Sequence, residues 1–287
     1  MGIVEQIGSQ VIDISIGDRV GVGAQVFSCL KTYCKACLNK REPYCSKTVL
    51  TYDSKYEDGS KTYGGYSERM RLSSHFAFKI PENIASEHAA PLLCAGATVF
   101  SPLKHHCVSK GDRVGVVGIG GLGHLALQFI KAFDAIPVAF SHTANKDAEA
   151  RSLGAAEFVD MNDDESVAKA YGSVSLLLVT SNADNLPYDK YLNFLADNGK
   201  LVVLGVPNGG ISLNAFNLLR GGRSITGSMI AGIEDMKLML EVASLHNVRP
   251  VIQKMPMENV NEGIDLVVSG KVRYRVVLEN SMDDESS

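Results

Sequence analysis

Four cysteines, Cys29, Cys34, Cys37 and Cys45, fall within seventeen residues. The intervals between them let one stretch of chain wrap a single soft cation. Four thiolates give zinc a closed tetrahedral shell with no position left for a substrate, so such a site is structural. The metal would tie down a loop with little apolar core of its own. No basic, apolar leader precedes the cluster, which favours metal binding over disulfides. The other two cysteines stand apart. Cys107 lies beside His105 and His106 and reads as an ordinary thiol. Cys94, taken alone, reads as a small buried residue near the start of a helix.

A second group of residues speaks for a phosphate ligand. Gly118, Gly120, Gly121 and Gly123 form a GxGxxG run that follows the apolar stretch RVGVVG and opens the amphipathic stretch GLGHLALQFIKAF. Strand, glycine turn and helix in that order are the context the motif requires. Gly118 permits the tight turn, Gly120 lets a pyrophosphate approach the backbone, and Gly123 lets helix and strand pack closely. The helix start then offers N–H groups and a partial positive charge. About twenty residues on, a site for an unphosphorylated ribose carries Asp or Glu. Here the second strand ends in Ser141, His142, Thr143, Ala144, Asn145 and Lys146. Hydroxyls, an imidazole and an ammonium suit a 2′-phosphate, so the residues favour NADP(H) over NAD(H).

The surrounding pattern supplies the elements that must hold these groups. From about residue 85 onward, strands alternate with helical stretches: 113–118, 137–141, EFVDM, 174–180, 200–205 and 224–229 read as strands. That alternation predicts βαβ units and a parallel sheet. Helices are expected at 87–105, 121–133, 148–153 closed by Gly154, 190–195, 234–246 and 260–268. Residues 1–80 are rich in glycine and β-branched residues, and GIVEQIG, DRVGVGAQV and YSERMRL read as short strands of a small β-rich lobe. VIQKMP and VRYRVVLE read as further extended stretches.

Composition sets outer limits. The 287 residues are 45% hydrophobic and carry a net charge of −4, so there is no basic footprint for nucleic acid. No apolar run reaches the ~20 residues that span a bilayer. The expectation is a cytoplasmic protein acting on a small molecule, with MDDESS as a disordered acidic tail.

The ordered set GDRVGVGAQVFSC, EPYC, GGYSE, PLLCAGATVFSPL, VGVVGIGGLGH, LGA, GKLVVLGVP, ITGSM and GKVRYRVVLE covers nearly the whole chain. It resembles the zinc-dependent medium-chain alcohol dehydrogenases, in particular the fungal NADP-dependent branch related to cinnamyl alcohol dehydrogenases. The resemblance implies a GroES-like catalytic domain over 1–82, with its zinc lobe at 29–45. It implies an inserted Rossmann domain over 83–247 and a return to the catalytic domain over 248–287. It further implies reversible oxidation of a primary alcohol, in practice aldehyde reduction, at a second zinc between the domains. Cys94 then corresponds to one catalytic-zinc ligand. Gly118, Gly120, Gly121 and Gly123 become the pyrophosphate loop, and Ser141, His142 and Lys146 the 2′-phosphate site. Arg275 would reach the cofactor phosphates, and a homodimer would pair at SITGSM.

Three departures accompany the resemblance. The family's other catalytic ligands, including a Gly-His-Glu segment, fall upstream of the point matched by MGIVEQIG, so the expectation is a start shortened by about seventy residues relative to the family. Four residues separate Cys29 from Cys34 where two are commoner, and His142 stands where the branch carries arginine. Two other readings therefore stay open. One is a zinc-independent quinone or enone reductase. The other is a catalytically impaired NADP(H)-binding remnant.

Overall fold

The computed structural model describes residues 1–280, so the acidic stretch MDDESS lies outside the described residues. Two compact units emerge, Thr98–Met229 and a unit made of Met1–Ala97 with the segment from Ile230 onward.

The unit Thr98–Met229 is built on one six-stranded parallel sheet. Its strands run spatially as Glu157–Asp160, Ile136–Ser141, Arg113–Val117, Val174–Val179, Leu195–Val203 and Ser224–Gly227. Numbered along the chain from Arg113–Val117, that is order 3-2-1-4-5-6, the doubly wound Rossmann order. Apolar runs such as VSLLLV form these strands because both faces of a central parallel strand are covered. Val138, Phe140, Leu177, Phe194 and Leu201 fill the core on one side. The helix Gly123–Ala132 buries Leu125, Ala126, Phe129 and Ile130, which fixes its N-terminus at the end of the first strand. The strand order reverses between Arg113–Val117 and Val174–Val179, where a doubly wound sheet opens its ligand crevice.

The other unit is assembled from short antiparallel pieces. Gly2–Ile3, Arg19–Val22 and Ala77–Lys79 form a three-stranded sheet, with Gln25–Phe27 paired to Val49–Leu50 and Tyr52–Lys55 paired to Lys61–Tyr63. Ile252–Pro256 and Arg275–Glu279 pair in parallel around the helix Val260–Val268.

Several expectations are adjusted. GIVEQIG contributes only two strand residues, Gly2 and Ile3. YSERMRL forms no strand; its residues are exposed or half-buried, and no neighbouring strand offers it a ladder. The units meet in the chain at 97/98 and 229/230, where the sequence suggested 82/83 and 247/248. The reason lies in two helices. The helix Ser86–Pro91 packs against the strands Ile252–Pro256 and Arg275–Glu279, and the helix Ile233–Leu245 packs against the turn Leu92–Gly96.

Candidate functional site

The glycine run connects the strand Arg113–Val117 to the helix Gly123–Ala132. Gly118 has φ of +89°, a conformation that side chains oppose. A Cβ on Gly123 would overlap the carbonyl oxygen of Gly118, so only glycine allows this approach of helix to turn. Gly120 faces open space. Three successive carbonyls of the turn are held by side-chain donors. Thr180 Oγ1 donates to Gly118 O at 2.7 Å, and Lys146 Nζ donates to Ile119 O at 2.7 Å. His124 Nδ1 lies 2.8 Å from Gly120 O, a contact that requires the ring proton on Nδ1. A carbonyl facing a phosphate would repel it. With these three engaged, the turn and the helix N-terminus suit an anion.

Beyond the second strand, the residues expected at the ribose end gather around the next connection. Ser141 is buried, and its Oγ accepts from Thr143 N–H at 3.1 Å. Exposed His142 is clamped by Asn162, whose Nδ2 donates to His142 O at 2.6 Å while its Oδ1 lies 3.3 Å from His142 Nδ1. Lys146 reaches back from this segment to Ile119, so it belongs to both ends of the candidate cofactor site. Thr180, His124 and Asn162 were not read from the sequence. Their signal is positional, since Thr180 and Asn162 follow strand ends and His124 sits in the first turn of the helix.

The four cysteines converge. Cys29 Sγ lies 3.5 Å from Cys45 Sγ and 3.7 Å from Cys37 Sγ, and Cys34 Sγ lies 3.8 Å from Cys45 Sγ. A zinc tetrathiolate with bonds of about 2.3 Å has edges of about 3.8 Å, whereas a disulfide closes to about 2.05 Å. The cluster therefore fits zinc, and all four residues are free cysteines. Lys47 N–H donates to Cys45 Sγ at 3.4 Å, and the Cys37 thiol donates to Ser28 Oγ at 3.7 Å. Desolvation pushes the Cys37 thiol up to about 12, while backbone donors bring Cys45 down to about 7 against its own burial. Both directions describe bare thiols; a metal removes all four protons. Lys31, Lys35, Lys40, Arg41 and Lys47 surround the site in sequence; Lys40 pairs with Glu234 at 3.1 Å and Lys47 with Glu57 at 2.9 Å. Buried Glu42 joins the lobe to the helix Ile233–Leu245, accepting from Ile233 N–H at 3.1 Å.

Cys94 departs from its sequence reading: it is exposed rather than buried. It lies in the wide π-turn Leu92–Gly96, whose other residues Leu92, Leu93, Ala95 and Gly96 turn inward. Pro91 at the turn's edge has no N–H for the α-helical ladder. Arg275 lies in the strand Arg275–Glu279 of the same unit. Burial lowers its pKa, and the charge of Cys94 partly restores it; burial and then Cys94 raise Tyr52. Cys94, Tyr52 and Arg275 are thus electrostatic neighbours. Among the described residues, the four-cysteine cluster is the one group of three or more His, Cys, Asp or Glu placed to hold a metal, and Cys94 is outside it. The described residues around Cys94 do not by themselves fit a catalytic ion.

Comparison with known proteins bears on both sites. The profile of the zinc-binding dehydrogenase family matches residues 121–244, and that of the alcohol dehydrogenase GroES-like domain matches residues 1–82. A probable mannitol dehydrogenase of Mesembryanthemum crystallinum is 42% identical over 281 residues, 97% of this chain and 77% of that protein. Among solved structures, a cinnamyl alcohol dehydrogenase of Sorghum bicolor superposes with a TM-score of 0.91 at 34% identity, covering 96% of this chain and 79% of that one. CAD from Helicobacter pylori, complexed with NADP(H), gives 0.87 at 32% identity, covering 96% and 79%.

Proposed function

The chain belongs to the zinc-binding alcohol dehydrogenase family, and on that footing we propose that it is an NADP(H)-dependent alcohol dehydrogenase that reduces cinnamyl-type aldehydes. The observation that carries the cofactor reading is the turn 118–120, whose carbonyls are engaged by Thr180, Lys146 and His124. Such a turn receives a pyrophosphate, and Ser141, His142 and Lys146 then meet the 2′-phosphate. A carboxylate at the end of the second strand would repel that group; Ser141 and His142 occupy the place instead. The nicotinamide supplies a hydride to the carbonyl carbon. This chain's residues bind and orient the cofactor.

Cys29, Cys34, Cys37 and Cys45 would hold one structural zinc, which orders the lobe and takes no part in the hydride step. No step is assigned to a metal at Cys94. The substrate class rests on the cinnamyl alcohol dehydrogenase relative, and the mannitol dehydrogenase relative makes a polyol the substrate to test beside it. Arg275 serves the cofactor phosphates. A homodimer forms through the edge strand Ser224–Gly227, flanked by exposed Phe216 and Leu219. Among the described residues no helix is long and apolar enough to cross a membrane, and the free thiols suit a cytoplasmic protein.

Zinc content, NADPH titration and cinnamaldehyde reduction, measured on one preparation, test the reading. Turnover with NADPH preferred over NADH is expected. One zinc per chain, tight NADPH and no turnover of cinnamaldehyde or mannitol would make it a cofactor-binding protein instead. Turnover of quinones or enones without zinc would place it with the zinc-independent reductases.

A further inference from the structure

His142 sits at the end of the second Rossmann strand, and its partner Asn162 follows the third. Two contacts between them fix more than position. Asn162 Nδ2 donates to His142 O at 2.6 Å, so the amide nitrogen is committed to the backbone. The amide oxygen is then the atom 3.3 Å from His142 Nδ1. An oxygen accepts, so the neutral ring must carry its proton on Nδ1. In that tautomer Nε2 is a lone-pair acceptor. Against a 2′-phosphate it is repulsive, acceptor facing acceptor. Protonation turns Nε2 into a donor and gives the ring a positive charge without disturbing the Asn162 contact.

We infer that His142 is a proton-gated selector for the 2′-phosphate: Asn162 holds the imidazole in the tautomer that donates to phosphate only when charged, so NADP(H) binds with proton uptake and NAD(H) does not. The inference rests on the NADP(H) reading above. Histidine exchanges this proton between about pH 5 and 8. An opposite charge on the ligand favours the charged ring.

The other charged groups around His142 are already engaged. On its own connection, Lys146 donates to Ile119 O at 2.7 Å and Asp147 pairs with Arg151 at 2.8 Å. On the connection that carries Asn162, Asp160 Oδ1 accepts from Asn162 N–H at 2.9 Å. Asp163 accepts from Glu165 and Ser166 N–H at 3.2 and 3.3 Å. From the helix Tyr188–Phe194, Lys190 donates to Met161 O at 3.3 Å. These engaged groups do not change the sign of the effect.

The test is calorimetric titration of the purified protein with NADPH and with NADH from pH 8.5 down to 6.5, in two buffers of different ionisation enthalpy. The range stops above about pH 6, where phosphate monoesters themselves titrate. NADPH should bind about fivefold tighter at pH 6.5 than at pH 8.5, with net proton uptake. NADH should show neither. His142→Gln should lose the pH dependence, whatever its affinity at pH 8.5 becomes. Asn162→Asp puts a carboxylate against Nδ1 and should move the dependence up by about one pH unit. An identical pH profile in the wild type and His142→Gln overturns the inference while leaving the NADP(H) preference standing. An unmoved profile in Asn162→Asp removes the tautomer argument. NADPH binding no tighter than NADH at every pH removes the NADP(H) reading and this inference together.

Discussion

The cysteine lobe and the glycine turn both present a short irregular segment to a small ligand, yet they hold their shapes by different means. In the lobe, Leu30, Tyr33 and Leu38 are exposed, and the buried side chains are chiefly Cys37, Cys45, Glu42 and Pro43. Order there depends on sulfur atoms that converge and on one carboxylate at a helix start. The turn 118–123 sits instead on a dense core. Val114, Val116, Leu125 and Phe129 have no exposed surface, and the turn's path is dictated by backbone that only glycine can follow. One segment is shaped by what it would bind, and the other is shaped before anything binds. They should therefore fail separately.

The sharpest way to break that contrast is Cys45→Ser. Structural zinc contributes about 10 kcal/mol or more to folding in zinc-finger peptides. Zinc should fall from about one to about zero per chain, and trypsin should cut at Lys31 to Lys47. NADPH affinity should stay within about twofold, since Thr180, Lys146 and His124, which hold the turn, lie outside the lobe. Loss of both zinc and NADPH binding would show that the two are one cooperative structure. Gly123→Ala is the reciprocal change. Its Cβ meets Gly118 O, a clash of about 1–3 kcal/mol. NADPH binding should weaken roughly fivefold to a hundredfold, with zinc content unchanged by metal assay. Lys146→Ala removes a donor to the turn and a cation at the 2′-phosphate. Charged hydrogen bonds are worth about 1.5–3 kcal/mol, so NADPH should bind roughly tenfold to a hundredfold more weakly. NADH affinity should change much less.

The smallest effect sharpens the comparison from the core side. Arg113 reaches Glu157 in a bidentate pair, 2.5 and 2.7 Å, across the intervening strand. The arginine holds the Glu157 carboxyl below its usual range. A lowered folded value stabilises at pH above the unfolded value, and the gain is lost as pH falls through the folded one. Because the pair is partly exposed, Glu157→Gln should cost less than about 1 kcal/mol at neutral pH in urea unfolding. That difference should vanish in acid. A larger cost would mean that the sheet, like the lobe, leans on individual charges.

How far the sequence revealed each region follows the same division. The strand and helix cores of the sheet came through because their apolar runs are long and their period is clean. The glycine turn was legible because its spacing encodes its backbone. The cysteines were legible because thiols at that spacing have few other uses. What stayed hidden depends on meetings between distant segments. Thr180, Asn162 and Glu42 acquire their meaning only from Gly118, His142 and Ile233. YSERMRL has strand composition, and pairing decides a strand. Cys94 was misread as buried because a π-turn rotates one residue outward against the helical period.

The unit that holds the cysteines is written in two pieces, with the whole of Thr98–Met229 between them. A ribosome adding about 5–20 residues per second takes on the order of ten seconds to cross that interval. During it the sheet can close, while the first piece waits for its far half. Helix Ile233–Leu245, which receives Glu42, does not yet exist. The lobe needs only local sequence to capture its ion, so metal can order it in that wait, beside Gln25 and Thr48, which both donate to Glu42 O. Nascent chains stalled near residue 229 should therefore protect 29–47 from protease when zinc is supplied and lose that protection on chelation.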